Sequence, residues 1–513
     1  MALSVETTPI PGLLVVRGPV HRDARGWFTE GWQRVKMVAA GLPDFAPVQH
    51  NVSSNASHGA TRGIHAEPWD KLVTVVHGRV FGAWVDLRAG AGLGATFTLE
   101  VEPGTAVFVP RGVGNSYQAL ADDTVYSYLV NEHWRPDLTY PALALDDPTA
   151  AIDWPIPLSQ SEISDKDRAN PQLAEVTPFV PKPVLLLGGS GQVGQALRRL
   201  LPDAVAPTRD DLDLTDPAAV EALDLSGHDV IINAAAMTAV DAAETGEGSA
   251  LAWRLNAQLP AQLARRAAAE GRTLVHYSSD YVFDGRTREH DEDEALTPVG
   301  EYGRTKAAGD LAVSVAPRHY VLRTSWVVGE GVNFVRTMAR LADEGGSPTV
   351  VDDQWGRLAF ADEIAAATVH LLAGGAPFGT YNVSQSGDAM TWAGIAREVF
   401  ALRGRAREDV TSVTTAEYGA GRAMAPRPEH STLSLDKLRA TGYEPMEQVE
   451  ALAEYVSRLD VGRGARSASD EPRGHGTGVS RLGPGGPRTS TNVGRGVRSA
   501  SDEPRDHSTD EGN

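Results

Sequence analysis

Tyr302-Gly303-Arg304-Thr305-Lys306 forms a Y-x-x-x-K segment downstream of a strand-like run, TLVHYSSDYVF, that carries Ser278-Ser279-Asp280. On a helix, residues four apart share a face, so Tyr302 and Lys306 would point into one cleft. An ammonium there lowers the phenol's pKa and binds a nicotinamide ribose, leaving Tyr302 to donate a proton to a carbonyl oxygen whose carbon receives hydride. Ser279, at the C-terminal end of a strand, would hydrogen-bond the same oxygen. Upstream, Gly188, Gly191 and Gly194 stand at G-x-x-G-x-x-G spacing between the apolar run VLLL and the helix-like QALRRLL. Such a turn lets the backbone approach a pyrophosphate, and the exposed amides and helix dipole attract its charge. Further on, Arg209-Asp210-Asp211-Leu212-Asp213 sets acidic groups suited to a ribose hydroxyl or adenine beside an arginine suited to the extra phosphate of NADP. The choice between NADH and NADPH therefore stays open.

A second set of reactive residues lies near the N-terminus. Arg62-Gly63-Ile64-His65 is followed by Lys71. A neutral histidine beside a cation suits proton abstraction next to a ketone: His65 takes the proton and Lys71 stabilises the enolate. Asp167, in Ser164-Asp165-Lys166-Asp167, would orient the imidazole, and Arg25, Gln49, Asn51 and Arg62 offer donors for phosphates and a base. The scattered histidines form no ligand triad, so no metal is expected.

Different elements must hold the two sets. From Pro11 to about Trp154, short β-branched or alternating runs (Leu13 to Val16, Leu72 to Val76, Val80 to Leu87, Thr105 to Val109, Thr124 to Val130) are separated by Gly, Pro, Asp and Asn, the pattern of a β-sandwich or barrel. A proline-rich connector follows. From Val184 the texture becomes an α/β alternation implying a parallel sheet with crossover helices. Beyond Val461, GRGARSASDEPRGHGTG recurs as GRGVRSASDEPRDHSTD, a polar duplication with little to bury, read as a disordered tail. The expected organisation is 1–170 barrel, 171–182 linker, 183–460 dinucleotide-binding domain and 461–513 tail.

Composition sets limits on these readings. With 513 residues the chain has room for two or three domains, and the lack of cysteine excludes disulfides, thiolate catalysis and cysteine metal sites and points to a reducing cytoplasm. A net charge of −20 argues against general affinity for nucleic acid or anionic membranes, and no apolar run is long enough to span a bilayer.

The motifs LLLGGSGQVGQAL, DVIINAAAMTAVDAAE, VHYSSDYVFDG, EYGRTK, LRTSWVVGEGVNFVRTM and RPEHSTLSLDKL together resemble the dTDP-4-dehydrorhamnose reductases, extended short-chain dehydrogenases with a doubly wound Rossmann-type sheet. The resemblance implies reduction of the C4 keto group of a dTDP-linked 4-keto-6-deoxy sugar by NADPH or NADH. By it, Gly191, Gln192 and Val193 would meet the dinucleotide, Ala234, Ala235 and Ala236 would line its path, and Asp213 and Leu214 would sit at the adenine end. Ser279, Tyr302 and Lys306 would form the catalytic triad, with Asp280 and Trp326 bordering the sugar. Ser279 stands for the family's usual threonine, Met237 for an aromatic or histidine, and Arg357-Leu358-Ala359 for glycine-x-proline-threonine.

DARGWFTEGWQ, VQHNVSSNASHGATRGIH, KLVTVVHGRVFGAWVDLR, VFVPRGVGNSY and ISDKD resemble dTDP-4-dehydrorhamnose 3,5-epimerase, a metal-free, cupin-like β-barrel (jelly roll) that commonly forms homodimers. The resemblance assigns His65 as base, Asp167 as its partner and Lys71 as enolate stabiliser, with Arg25, Glu30, Gln49, Asn51 and Arg62 on the nucleotide. Trp134 falls where the family has its catalytic tyrosine, and indole releases no proton at useful pH; His133, Tyr128, Tyr140 and water are the substitutes available. Asn115 replaces a usual histidine. The expectation is a bifunctional cytoplasmic enzyme that epimerises C3 and C5 and then reduces C4. The alternative is an active reductase whose degenerate barrel only binds nucleotide sugar or dimerises.

Overall fold

The computed structural model describes residues 2–134 and 140–467. The N-terminal strands are β1 (Ser4–Thr7), β2 (Leu14–Arg17), β3 (His21–Asp23), β4 (Gly26–Phe28), β5 (Gln49–Asn55), β6 (Thr61–His65), β7 (Lys71–His77), β8 (Val80–Asp86), β9 (Thr96–Val101), β10 (Thr105–Val109), β11 (Val113–Ala119) and β12 (Thr124–Val130), with helix α1 (Arg34–Ala39) before β5. Two antiparallel sheets, β1-β2-β10-β7-β12-β5 and β6-β11-β8-β9, face each other as a jelly roll. Strand alternation explains the layering. In β7, Val73 and Val75 join Trp84, Val107, Tyr117 and Tyr126 between the sheets. Leu72, of opposite parity, joins Phe108, Met37, Leu42 and Phe45 beneath α1.

The connector is more ordered than a linker. Its 3₁₀ turn Leu173–Glu175 lies near Leu143, Leu145 and Ile64 on the back of the smaller sheet, and Phe179 N donates to Leu87 O at 2.8 Å.

In the second domain β13 (Leu185–Leu187), β14 (Val230–Asn233), β15 (Thr273–Ser279), β16 (His319–Thr324) and the strand Gly379–Val383 form one parallel sheet in that order. Its two faces follow strand parity. Leu186, Ile232, Val275 and Leu322 pack on the helices Gln192–Leu200 and Ala361–Ala373. Leu185, Leu187, Ile231, Leu274 and Val321 pack on Leu259–Ala269 and Glu301–Ser314. The strand expected before Arg209 is reduced to a bridge of Val205 with Leu185. A third core, built from Phe334–Asp343, Trp392–Leu402 and the helix Gln448–Ser467, forms a lobe beyond the C-terminal strand ends. Leu452, Tyr455 and Val456 give that last helix a buried face, and it runs past the expected boundary at 461 to Ser467. The first copy of the duplicated segment begins within this helix, and everything after Ser467 lies outside the described residues, as do Arg135 and Pro136. Among the described residues, no helix is long and apolar enough to cross a membrane, and no group of three or more His, Asp or Glu side chains is placed to hold a metal.

Candidate active sites

The glycine turn after β13 is shaped by close approach. Gly188 has φ +80°, and a Cβ there would lie 2.5 Å from Ala235 N; one on Gly194 would lie 2.2 Å from Gly188 O. Gly191 caps the helix Gln192–Leu200, and a Cβ on it would meet only Gly188 O, at 3.5 Å. The crowded glycines pin the turn against Ala234 and Ala235, while the open one leaves the first helical amides free for an anion. This donor set fits a pyrophosphate. Gln192 is otherwise engaged, accepting from Gly329 N at 2.7 Å, and Val193 and Leu214 pack into the cores on either side of the sheet. Asp213 lies exposed, its Oδ1 accepting from Thr215 N (2.8 Å) and Oγ1 (2.7 Å); these bonds hold it below the ordinary carboxylate range.

Ser279 closes β15, and Tyr302 and Lys306 sit on the first turns of Glu301–Ser314. The Ser279 hydroxyl donates to Asp280 Oδ1 at 2.8 Å and faces the Tyr302 phenol. Burial pushes Tyr302 up to about 12, outweighing that contact. The expected lowering by Lys306 is not what the structure shows: Lys306 Nζ donates to Tyr277 O, directing its charge at the backbone of β15. Burial pulls Lys306 down to about 8 and lifts Asp280 to about 7. Asp280 Oδ2 has no partner. Met237 packs beside Tyr302, and Tyr281 meets its ring edge-on at 6.0 Å. Trp326 stacks on Trp392 at 3.8 Å in the lobe, its Nε1 unpaired, and Arg357 is committed to Gly387 O (2.7 Å) and Leu433 O (3.1 Å).

Two supports escaped the sequence reading. Asp310, one turn past Lys306, accepts from Arg323 Nε at 3.0 Å and helps keep Lys306 charged; extending the four-residue spacing Tyr302, Lys306, Asp310 would have found it. Asn256 Nδ2 donates to Met237 O (2.9 Å) and to Thr305 Oγ1 (3.1 Å), tying the segment after β14 to the helix of Tyr302. It lies in a π-helical turn, Arg254–Gln258, that no composition signal marks.

In the barrel, His65 Nε2 stands 2.9 Å from Asp167 Oδ1, and Gly63 N donates to Asp167 Oδ2 at 3.3 Å. Burial raises Asp167, but the bonds from His65, Gly63 and Ser164 outweigh it and leave the carboxyl below its ordinary value. An ionised Asp167 accepts a hydrogen bond from Nε2–H, which leaves Nδ1 of the neutral ring as the acceptor atom. Lys71, on the facing sheet, is buried in an ion pair with Glu67, which sequence reasoning missed, and its Nζ lies 5.9 Å from the Tyr128 ring centre. Tyr128 is raised by burial and by the Glu67 charge. Asn115 accepts from Trp84 Nε1 (2.9 Å) and Tyr126 Oη (3.1 Å). Arg62 Nε reaches Asn55 (3.1 Å), and Gln49 Nε2 donates to Asn51 (2.9 Å). Trp134 is 58% exposed, and its backbone amide donates to Gln49 Oε1 at 3.2 Å. Within one chain Arg25 and Glu30 do not join this cluster. Arg25, its side chain 90% exposed, pairs with Asp23 in the β3–β4 hairpin; Glu30 pairs with Lys36 outside the larger sheet.

Comparison with known proteins assigns each half a relationship. The profile of the RmlD substrate binding domain matches residues 182–461, and that of dTDP-4-dehydrorhamnose 3,5-epimerase matches residues 7–175. The chain is 42% identical to the protein RmlC homolog of Streptococcus pyogenes serotype M6 over 184 residues, 34% of this chain and 92% of that protein. It is 36% identical to dTDP-4-dehydrorhamnose reductase of Mycobacterium tuberculosis over 304 residues, 56% of this chain and 98% of that protein. A solved dTDP-4-dehydrorhamnose reductase from Bacillus anthracis in complex with NADP is similar with a TM-score of 0.50 and 31% identity, covering 55% of this chain and all of the other.

Proposed function

Because the chain belongs to the RmlD substrate binding domain family and, through its N-terminal part, to the dTDP-4-dehydrorhamnose 3,5-epimerases, we propose that it is a bifunctional, cytoplasmic enzyme of dTDP-L-rhamnose synthesis. Residues 1–170 invert C3 and C5 of dTDP-4-dehydro-6-deoxy-D-glucose, and residues 183–460 reduce C4 with NADPH or NADH. The observation that carries this reading is the pairing, on one chain, of a His65–Asp167 dyad facing a buried Lys71 with a Ser279–Tyr302–Lys306 set beside the Gly188–Gly194 turn.

In the barrel, His65 Nδ1 takes the proton next to the ketone, and Lys71 holds the enolate oxygen. The proton returned to the other face comes from Tyr128. It projects from the larger sheet while His65 belongs to the smaller one, and it lies over Lys71. The degenerate-barrel alternative is not favoured, since dyad and cation are both assembled. In the reductase, the helical amides after Gly191 hold the dinucleotide phosphates, and Lys306 the nicotinamide ribose. When bound, the cofactor supplies hydride to C4. Ser279 positions the C4 oxygen, and Tyr302, protonated throughout the neutral range, donates its proton to it.

A homodimer accords with the β3–β4 hairpin, whose six residues are all exposed, Trp27 and Phe28 among them. Docked on a second copy, it would bring Arg25 to the partner's nucleotide. The decisive experiment incubates the chain with dTDP-4-dehydro-6-deoxy-D-glucose in deuterated water. Deuterium at C3 and C5 without NADPH, and dTDP-L-rhamnose with it, are expected; no exchange and no NADPH consumption would refute the reading.

A further inference from the structure

The barrel and the reductase domain meet at a half-buried charge cluster that neither reaction uses. Arg111, in the turn between β10 and β11, binds Asp70 through its backbone amide (2.9 Å), Nε (3.3 Å) and Nη2 (3.2 Å). Its Nη1 turns the other way and donates to Asp229 at 2.9 Å, at the head of β14. Asp229 also draws Arg272 to 3.2 Å and Lys182 to 3.6 Å. On the barrel side, Asn131 Nδ2 donates to Asp70 Oδ2 (2.8 Å), and Asp70 N donates back to Asn131 Oδ1 (2.9 Å). Burial raises Asp70, yet the Arg111 guanidinium leaves it below the ordinary carboxylate range.

The barrel end of this chain of contacts is the edge of the proposed epimerase site. Asp70 immediately precedes Lys71, and Gly112, next to Arg111, donates its amide to Glu67 O at 3.0 Å. Glu67 is the counter-ion of Lys71. Asn131 directly follows β12, the strand of Tyr128. A further cation, Arg318, is pushed down first by burial and then by the Arg111 charge, and its Nε has no partner. With Asp229 neutral, Arg111, Arg272, Lys182 and Arg318 would have only Asp70 and the nearby Glu132 to offset them, and the grip on Asp70 would loosen.

We propose that Asp229 of the reductase domain is a positioning residue for the epimerase site, acting through Arg111 and Asp70 to fix the edge that carries Lys71. The proposal rests on the epimerase reading above. Its consequence is that the barrel reaches full activity only against the reductase domain, although no reductase side chain touches the sugar in the barrel.

The test uses the full chain with Asp229→Asn. Deuterium exchange at C3 and C5, measured without NADPH, is expected to lose about tenfold in kcat with KM unchanged, the cost of a displaced enolate-binding cation. Asp229→Glu should restore most of the rate, and NADPH oxidation with dTDP-4-dehydro-L-rhamnose should stay at the parent value. Amide hydrogen exchange should quicken at Asp70, Lys71 and Asn131. An unchanged exchange kcat, a change in KM alone, or loss of NADPH oxidation alongside would overturn the proposal, the last because it marks a general structural defect. If the parent chain shows no deuterium incorporation, the epimerase reading falls. The positioning is then judged by amide exchange: faster in Asp229→Asn upholds it, and unchanged protection overturns it.

Discussion

In the reductase domain, Ser279, Tyr302 and Lys306 occupy one strand end and one helix face, while in the barrel His65, Lys71 and Tyr128 come from three strands and Asp167 from the distant helix Asp165–Arg168. The reductase groups are strongly shifted by burial, with Tyr302 near 12, Lys306 near 8 and Asp280 near 7. In the barrel, burial raises Asp167 but is outweighed by the contact with His65, and Lys71 is paired with Glu67. One site tunes its chemistry by desolvation along a short stretch of chain; the other combines a local ion pair, Lys71 with Glu67 four residues away, with a long-range contact, His65 with Asp167. The two also lie at opposite edges of the parallel sheet. Ser279 and Gly188 stand at its C-terminal edge, whereas Arg111 and Asp44 of the barrel contact Asp229, Gly375 and Phe378 at its N-terminal edge. The length of β15, roughly 20 Å at about 3.3 Å per residue, separates these edges.

The largest effect that would break this comparison is expected from Tyr302→Phe. It should cut NADPH oxidation by about 10³-fold and leave deuterium exchange at C3 and C5 within about twofold, because the phenol serves only one site. A parallel loss of both activities would show that the sites are not chemically independent. Next, Tyr128→Phe should lower product formation by the barrel about 10²-fold, and Trp134→Phe by no more than about threefold. The reverse order, read by NMR of the sugar products, would return the acid to the segment around 134.

A smaller effect distinguishes the sites by pH. Lys306 is charged below about 8 and neutral above it, so reduction should fall roughly tenfold between pH 7 and pH 9 when cofactor binding is limiting. Initial rates across that range check it; a flat profile would mean that bound dinucleotide restores the ammonium. The smallest effect concerns transfer. Chains carrying Tyr302→Phe mixed with chains carrying His65→Asn should sustain a flux within about twofold of the same number of native sites, because the intermediate must leave one edge of the sheet to reach the other. A much slower mixture would reveal direct hand-over.

The local motifs were legible because their geometry is local. A helix repeats every 3.6 residues and a strand every two, so Tyr302 and Lys306 had to share a face and the glycine turn had to join β13 to its helix. Even there, the charge state escaped: that Lys306 donates to Tyr277 O instead of lowering the phenol depends on how β15 packs beneath the helix. Arg25 and Glu30 show the same limit, since their residue types suit a nucleotide while the fold holds them away from His65 in their own chain.

The amino-acid order by itself thus determined the two fold classes and their order along the chain, and it marked the candidate reacting side chains, because periodicity and turn chemistry act between neighbours along the chain. Only the tertiary structure decided that Glu67 neutralises Lys71, that Tyr128 lies over that lysine while Trp134 stands in solvent, and that Arg111 joins Asp70 to Asp229. Apart from the Glu67–Lys71 pair, four residues apart, those contacts join surfaces brought together by burying apolar residues, and the strength of each depends on distance and exposure, which no sequence spacing encodes.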